Sequence, residues 1–242
     1  MKEQLYTIPV NDAFDEDSEC PVCLMYENIQ NSAIDFVMGD SYMQDDIRME
    51  TDKLGFCDKH LPLLYKNQNR LGLGLMMLTH MDKLLKDVPT KTNKRPGKPS
   101  LFAKNNPKSP LKEYADMQEE SCYVCERMKN MFSRYVATTL WLYERDGAFR
   151  AKFENCKGFC TKHYAMLYEL APTEISGKNL DSFYATIDKV YIENLKRVRD
   201  DLEWFTDKFD YRYADAPWKN SKDALIRAIQ KTNGIKVEEK KN

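Results

Sequence analysis

Toward the end of the chain, apolar residues recur at three- and four-residue steps, through Leu180, Phe183, Tyr184, Ile187, Val190, Tyr191, Leu195, Val198, Leu202 and Phe205. That spacing lines one stripe of a helix, so it predicts a single long amphipathic helix there. Residues 21–38 and 123–143 carry the same pattern less cleanly. So does "LGLGLMMLTHMDKLLKDV" at 71–88, where Gly72 and Gly74 weaken the first turn. A last helix is expected over about Ser221–Thr232, ahead of Gly234 and a tail rich in Lys and Glu. No stretch shows the period-2 alternation and β-branched enrichment of a strand, and the predicted fold class is all-α.

Punctuation divides the pattern. Five of the ten prolines fall in residues 89–112, which also hold seven Lys or Arg and no acid. Such a composition buries no core and reads as an exposed, basic, Pro-rich connector. The expected organisation is an extension at 1–17, a helical lobe at 18–88, the connector at 89–112, a second lobe at 113–213, and a C-terminal helix and charged tail at 214–242.

The cysteines suggest why there should be two lobes. "CPVC" (Cys20, Cys23) and "CYVC" (Cys122, Cys125) are each followed by a second phrase, "GFCDKH" (Gly55–His60) and "GFCTKH" (Gly158–His163). The intervals are 33 residues from Cys23 to Cys57 and 34 from Cys125 to Cys160. Leu64 and Tyr65 follow the first phrase as Leu167 and Tyr168 follow the second. This duplication predicts two similar lobes from an internal repeat. Within it, Cys20, Cys23, Cys57 and His60 would form one Cys3His set, and Cys122, Cys125, Cys160 and His163 the other. Each set would pin the base of its own helical hairpin.

Three thiolates and an imidazole are the closed tetrahedral ligand set of structural zinc, so two zinc ions per chain are expected. An iron–sulfur cluster more typically uses four cysteines. Pro21 suits the first turn of a helix, and Ser121 is placed to cap the helix after it, so both CxxC pairs would sit near helix N-termini, where thiolate is favoured. Cys156 has Lys53 as its counterpart in the other copy and reads as a spare or buried thiol; His80 has no counterpart and reads as a packing residue. Trp218 is placed to clamp the last helix or to anchor a partner.

Composition narrows the function classes. A 42% hydrophobic content supports a core, and a net charge of −1 provides no global field for nucleic acid or acidic membrane. No run approaches a membrane span, and the N-terminal segment lacks a hydrophobic signal core, so the expected location is the cytoplasm, where thiols stay reduced. There is no phosphate loop, HExxH or serine-nucleophile motif, and a full Cys3His set leaves zinc no open position, which argues against an enzyme. A zinc-bound helical scaffold or adaptor for an unidentified macromolecular partner is the expected function. Two alternatives stand beside it: a thiol redox or metal-responsive regulator, and a nucleic-acid-associated protein working through the basic connector.

The doubled CxxC and GFCxKH phrases, with the closing "FDYRYADAPWKNSKDALIRAIQKTNG", resemble an uncharacterised family of bacterial cytoplasmic proteins over nearly the whole chain. Some similar sequences carry the label of a transporter substrate-binding protein; this chain has no export signal and no sign of the two α/β lobes such a label implies. The resemblance implies the same eight Cys and His positions and no activity.

Overall fold

The computed structural model describes residues 3–93, 95 and 108–237. Among these, every regular element is helical. The α-helices are α1 (Thr7–Asp15), α2 (Pro21–Met38), α3 (Asp45–Leu54), α4 (His60–Lys66), α5 (Arg70–Lys91), α6 (Pro110–Glu120), α7 (Tyr123–Arg145), α8 (Gly147–Asn155), α9 (Thr161–Glu174), α10 (Gly177–Asp207) and α11 (Ala224–Asn233). None is long and apolar enough to cross a membrane. The all-α expectation holds. The periodic stretches at 21–38, 71–88, 123–143 and 180–205 lie inside α2, α5, α7 and α10.

Local chemistry sets the helix starts. Asp146 accepts the N–H groups of Ala148 and Phe149 at the start of α8 (2.9 and 3.1 Å), and Ser109 accepts that of Lys112 ahead of Pro110 in α6. Asn69 caps α5 by accepting from Gly72. Ser121 does not cap α7: its hydroxyl donates to the Leu54 and Gln118 carbonyls instead. The connector is shorter than expected, because Pro89–Lys91 complete α5 and Pro110–Lys112 open α6. Of the rest, residues 94 and 96–107 lie outside the described residues.

The chain forms two compact units, Met1–Asn28 with Phe132–Asn242, and Ile29–Met131. The division falls within α2 and within α7, not at the connector. These units are therefore not the 18–88 and 113–213 lobes expected from the duplicated phrases. A lobe assignment by sequence adjacency misses them because the first unit is discontinuous, taking its opening segment from one end of the chain and the rest from the other.

In the first unit, Phe14, Tyr143, Phe149, Phe153, Phe159 and Phe183 form the centre of the core, with Phe153 within 5.0–5.9 Å of four of the other rings. Full burial of each such ring contributes about 1.5–3 kcal/mol, and ring pairs in tilted or edge-on geometry add to it. α10 packs on α8, α9 and α11. Trp218 lies against Phe205 near the end of α10, with the Lys208 ammonium 5.3 Å from its ring. Lys208 also binds the carbonyls of Tyr213, Ala214 and Ala216. Trp218 thus fastens the segment leading to α11 onto α10. In the second unit, α5 packs on α3, α4 and α6.

Candidate metal centres

Each CxxC opens a helix, and each GFCxKH phrase forms the turn before another. Cys20 immediately precedes α2, and its sulfur accepts the Cys23 N–H at 3.4 Å. Cys160 is the N-cap residue of α9, and His60 begins α4. The four half-sites therefore lie at helix N-termini, where unpaired N–H groups and the dipole favour anionic sulfur.

The glycines of the two phrases have a backbone reason. Gly55 and Gly158 have φ of +61° and +84°, which side chains rarely adopt. A Cβ at Gly158 would lie 3.1 Å from the Val190 carbonyl oxygen. One at Gly55 would lie 3.1 Å from the His80 ring, whose Nδ1 bonds the Asp52 carbonyl at 2.9 Å. His80 thus supports the turn that presents Cys57.

The eight residues gather into two groups, but not those predicted from the repeat. Cys20 and Cys23 meet Cys160 and His163; Cys57 and His60 meet Cys122 and Cys125. Within each group one donor atom per residue lies within 4.8 Å of all the others. The expected sets, Cys20–Cys23–Cys57–His60 and Cys122–Cys125–Cys160–His163, are corrected accordingly: each CxxC is completed by the CxxH of the other copy. Each group lies within a single compact unit, the first in the discontinuous one and the second in Ile29–Met131. Cys156 belongs to neither; its sulfur accepts the Gly158 N–H, and burial pushes its thiol up to about 11.

The distances suit a tetrahedral ion. In the first group, Cys23 Sγ is 3.7 Å from Cys160 Sγ, and His163 Nδ1 is 3.3 Å from Cys23 Sγ and 3.5 Å from Cys20 Sγ. In the second, Cys57 Sγ is 3.8 Å from Cys125 Sγ, and His60 Nδ1 is 3.3–3.4 Å from all three sulfurs. A tetrahedron with Zn–S of about 2.3 Å and Zn–N of about 2.0–2.1 Å has edges of roughly 3.8 and 3.5 Å. Disulfides, with sulfurs about 2.05 Å apart, have a different geometry, and all seven cysteines are free thiols. Both imidazoles turn Nδ1 to the sulfurs.

Electrostatics make the same demand. Cys160 is pulled well below the usual thiol range by accepting from Cys20 and Cys23. In return Cys23 is pushed up by Cys160, and Cys20 is raised to about 12 by burial first and by Cys160 next. In the second group, burial raises Cys122 and lifts Cys125 to about 12; burial also acts upward on Cys57, but the N–H groups of His60 and Lys59 outweigh it and lower that thiol. Burial holds His60 below its usual range, as a neutral ligand. In each group one thiol is lowered and the other two are raised. Three thiolates at this spacing need a positive ion among them.

The surroundings differ between the groups. In the first, Cys20 and Cys160 are fully buried and His163 is 4% exposed. Gly234, left-handed at the end of α11, closes over it, and a Cβ there would lie 3.1 Å from Cys160 Sγ. Lys231, 1% exposed on the same helix, donates to the Glu19 and Lys157 carbonyls and lies 3.0 Å from the Glu19 carboxylate, which Arg197 also binds at 2.6 Å. Burial lowers the Lys231 ammonium while Glu19 and Cys20 oppose that shift. A dication with three thiolates and a neutral imidazole carries a net −1, and a buried ammonium bound to the residue preceding Cys20 offsets it. In the second group His60 and Cys122 are buried, Cys57 is half-buried and Cys125 is exposed.

Sequence reasoning missed Lys231 and Gly234. A lysine in the final turn of an amphipathic helix reads as solvated, and a glycine after that turn reads only as a helix stop.

Fold and site together define an all-helical protein with two Cys3His clusters. The chain belongs to the family of unknown function DUF6062, whose family model matches residues 1–239. Comparison with the curated proteins gave no match, and neither did comparison with the solved structures.

The exchanged pairing has a stoichiometric signature. Cys20→Ala with Cys160→Ala damages one cluster and should leave one metal equivalent per chain, whereas Cys20→Ala with Cys57→Ala damages both and should leave none. Elemental analysis of the purified variants reads this directly, and the opposite pattern would restore the adjacent pairing. Lys231→Met should weaken metal retention at the first cluster by about 10–100-fold, and competition with a chromogenic chelator should show one ion lost more readily than in the wild type while the other is unchanged.

Proposed function

We propose that each cluster binds one zinc ion as a closed structural site, and that the protein is a helical scaffold or adaptor presenting a surface to a macromolecular partner. The observation that carries this reading is the pair of Cys3His groups with tetrahedral spacing. Three soft thiolates with one imidazole select zinc over magnesium or calcium, and four protein ligands leave no open position for substrate. The ions act as ties between chain segments distant in sequence. Binding worth roughly 10–16 kcal/mol, the range for zinc-finger peptides, matches or exceeds the whole net stability of a typical domain, about 5–15 kcal/mol.

One observation supports a second reading for the cluster in Ile29–Met131. Cys125 is exposed, whereas in the first cluster Cys20 and Cys160 are buried and Cys23 is half-buried, so an oxidant reaches the Cys125 sulfur most readily. Hydrogen peroxide would convert two thiolates to a disulfide and two hydroxide ions, releasing the ion; that would make this unit metal- or redox-responsive.

Purified protein should contain two zinc per chain and no visible absorbance. Chelation at neutral pH should collapse helical circular dichroism, and zinc should restore it. Brown protein carrying iron, or helicity and melting temperature indifferent to chelation, would refute the structural-zinc reading. Release of a single ion by stoichiometric peroxide, with helicity retained, would favour the responsive one.

A further inference from the structure

The face of α5 turned away from its own unit carries apolar residues in a heptad. Leu71, Leu78 and Leu85 are 67%, 57% and 72% exposed, and Met81 is 57% exposed. Three leucines at seven-residue steps occupy one position of the heptad; Gly74, Met81 and Val88 occupy the complementary position. Core-facing residues of α5, such as Gly72, Leu73 and Met76, lie on the other side and are buried. α5 is thus apolar on two faces, and only one is used within the unit. The seam runs 14 residue steps from Leu71 to Leu85, about 21 Å at 1.5 Å per step.

We infer that this seam is a self-association surface and that its occupant is α5 of a second copy, packed antiparallel across a two-fold axis. This deepens the scaffold reading, on which it rests only for the idea that the helical surface has a macromolecular partner; it is independent of the metal. Two features select a second copy. A seven-residue repeat with leucine at every first position is the pattern that meshes with another helix of the same period. The seam is also self-complementary. With the two-fold between Leu78 and Met81, Leu78 meets Met81 of the second copy, Leu71 meets Val88, and Gly74 meets Leu85. Nothing lies within 4 Å of where a Gly74 Cβ would be, so this glycine leaves a gap on the exposed face. A leucine across the axis fills it; a parallel pairing would set gap against gap. Each exposed side chain of the seam offers on the order of 100 Å², and with Val88 and the flanking Leu75, Met77 and Leu84 the two copies approach roughly 1,000 Å², the lower range of specific interfaces. The contact is isologous and closed, as expected of a two-fold dimer.

The test is the mass of the zinc-loaded full chain by sedimentation equilibrium over a wide concentration range. The wild type should be a dimer. Leu78→Glu should be monomeric with unchanged circular dichroism and metal content, because Leu78 is exposed within its own chain. Gly74→Met should raise the dimer dissociation constant by about tenfold or more, while leaving helicity equal or higher, since methionine favours a helix over glycine; loss of dimer with helix gained separates the interface from folding. A wild type that stays monomeric at the highest concentration, or a dimer indifferent to both substitutions, overturns the inference. A monomer holding two zinc ions would leave the metal-scaffold reading standing while refuting this one.

Discussion

Three sulfur atoms held within 4.8 Å of one another and of an imidazole nitrogen constrain the local structure of each cluster. Protonated, they are an ill-matched hydrogen-bonded cluster; as thiolates they repel strongly in a poorly solvated place. A cation bound among them would relieve both costs. Around that requirement the local structure is consistent: helix N-termini at every half-site, imidazoles with Nδ1 turned to the sulfurs, left-handed glycines in the turns, and a buried ammonium beside the more enclosed cluster. Each adjusts charge or backbone geometry in the direction a tetrahedral cation needs.

The pairing of half-sites fixes which chain segments each cluster brings together. By joining Cys20 and Cys23 to Cys160 and His163, the first cluster ties the opening of α2 to the start of α9, and Gly234 brings the end of α11 over the same sulfurs. The second joins the turn after α3 to the start of α7, where the Tyr123 N–H also donates to the Gly55 carbonyl at 3.0 Å. Each compact unit has one such tie. The clusters differ in how far their sulfurs are withdrawn from solvent, with Cys20 and Cys160 fully buried in the first and Cys125 exposed in the second.

Much of this was legible in the sequence. The apolar stripes of α2, α5, α7 and α10 were visible because helix burial imposes its period on the residues, and the eight candidate ligands stood out because histidine is scarce and the phrases recur. The pairing was not legible, and the reason is quantitative. Adjacent pairing would join positions 34 apart in sequence, Cys23 and Cys57, whereas the observed contact joins Cys23 and Cys160, 137 apart. Closure entropy grows so slowly that the difference costs only about 1 kcal/mol, far less than metal binding contributes. Sequence proximity therefore carries almost no information about which half-sites meet. Helix packing decides it, and packing between α2, α9 and α11 is not encoded in the spacing of cysteines. Lys231 was hidden for a related reason: its burial depends on Glu19 and Lys157 arriving from elsewhere in the chain.

Cadmium-113 in place of the native metal tests the central claim most directly, because scalar coupling to cysteine β-protons and imidazole protons reports which residues share each ion. The account predicts one resonance correlated with Cys20, Cys23, Cys160 and His163, and a second with Cys57, His60, Cys122 and Cys125. A cadmium correlated with both Cys23 and Cys57, or resonances showing fewer than three cysteines, would contradict it.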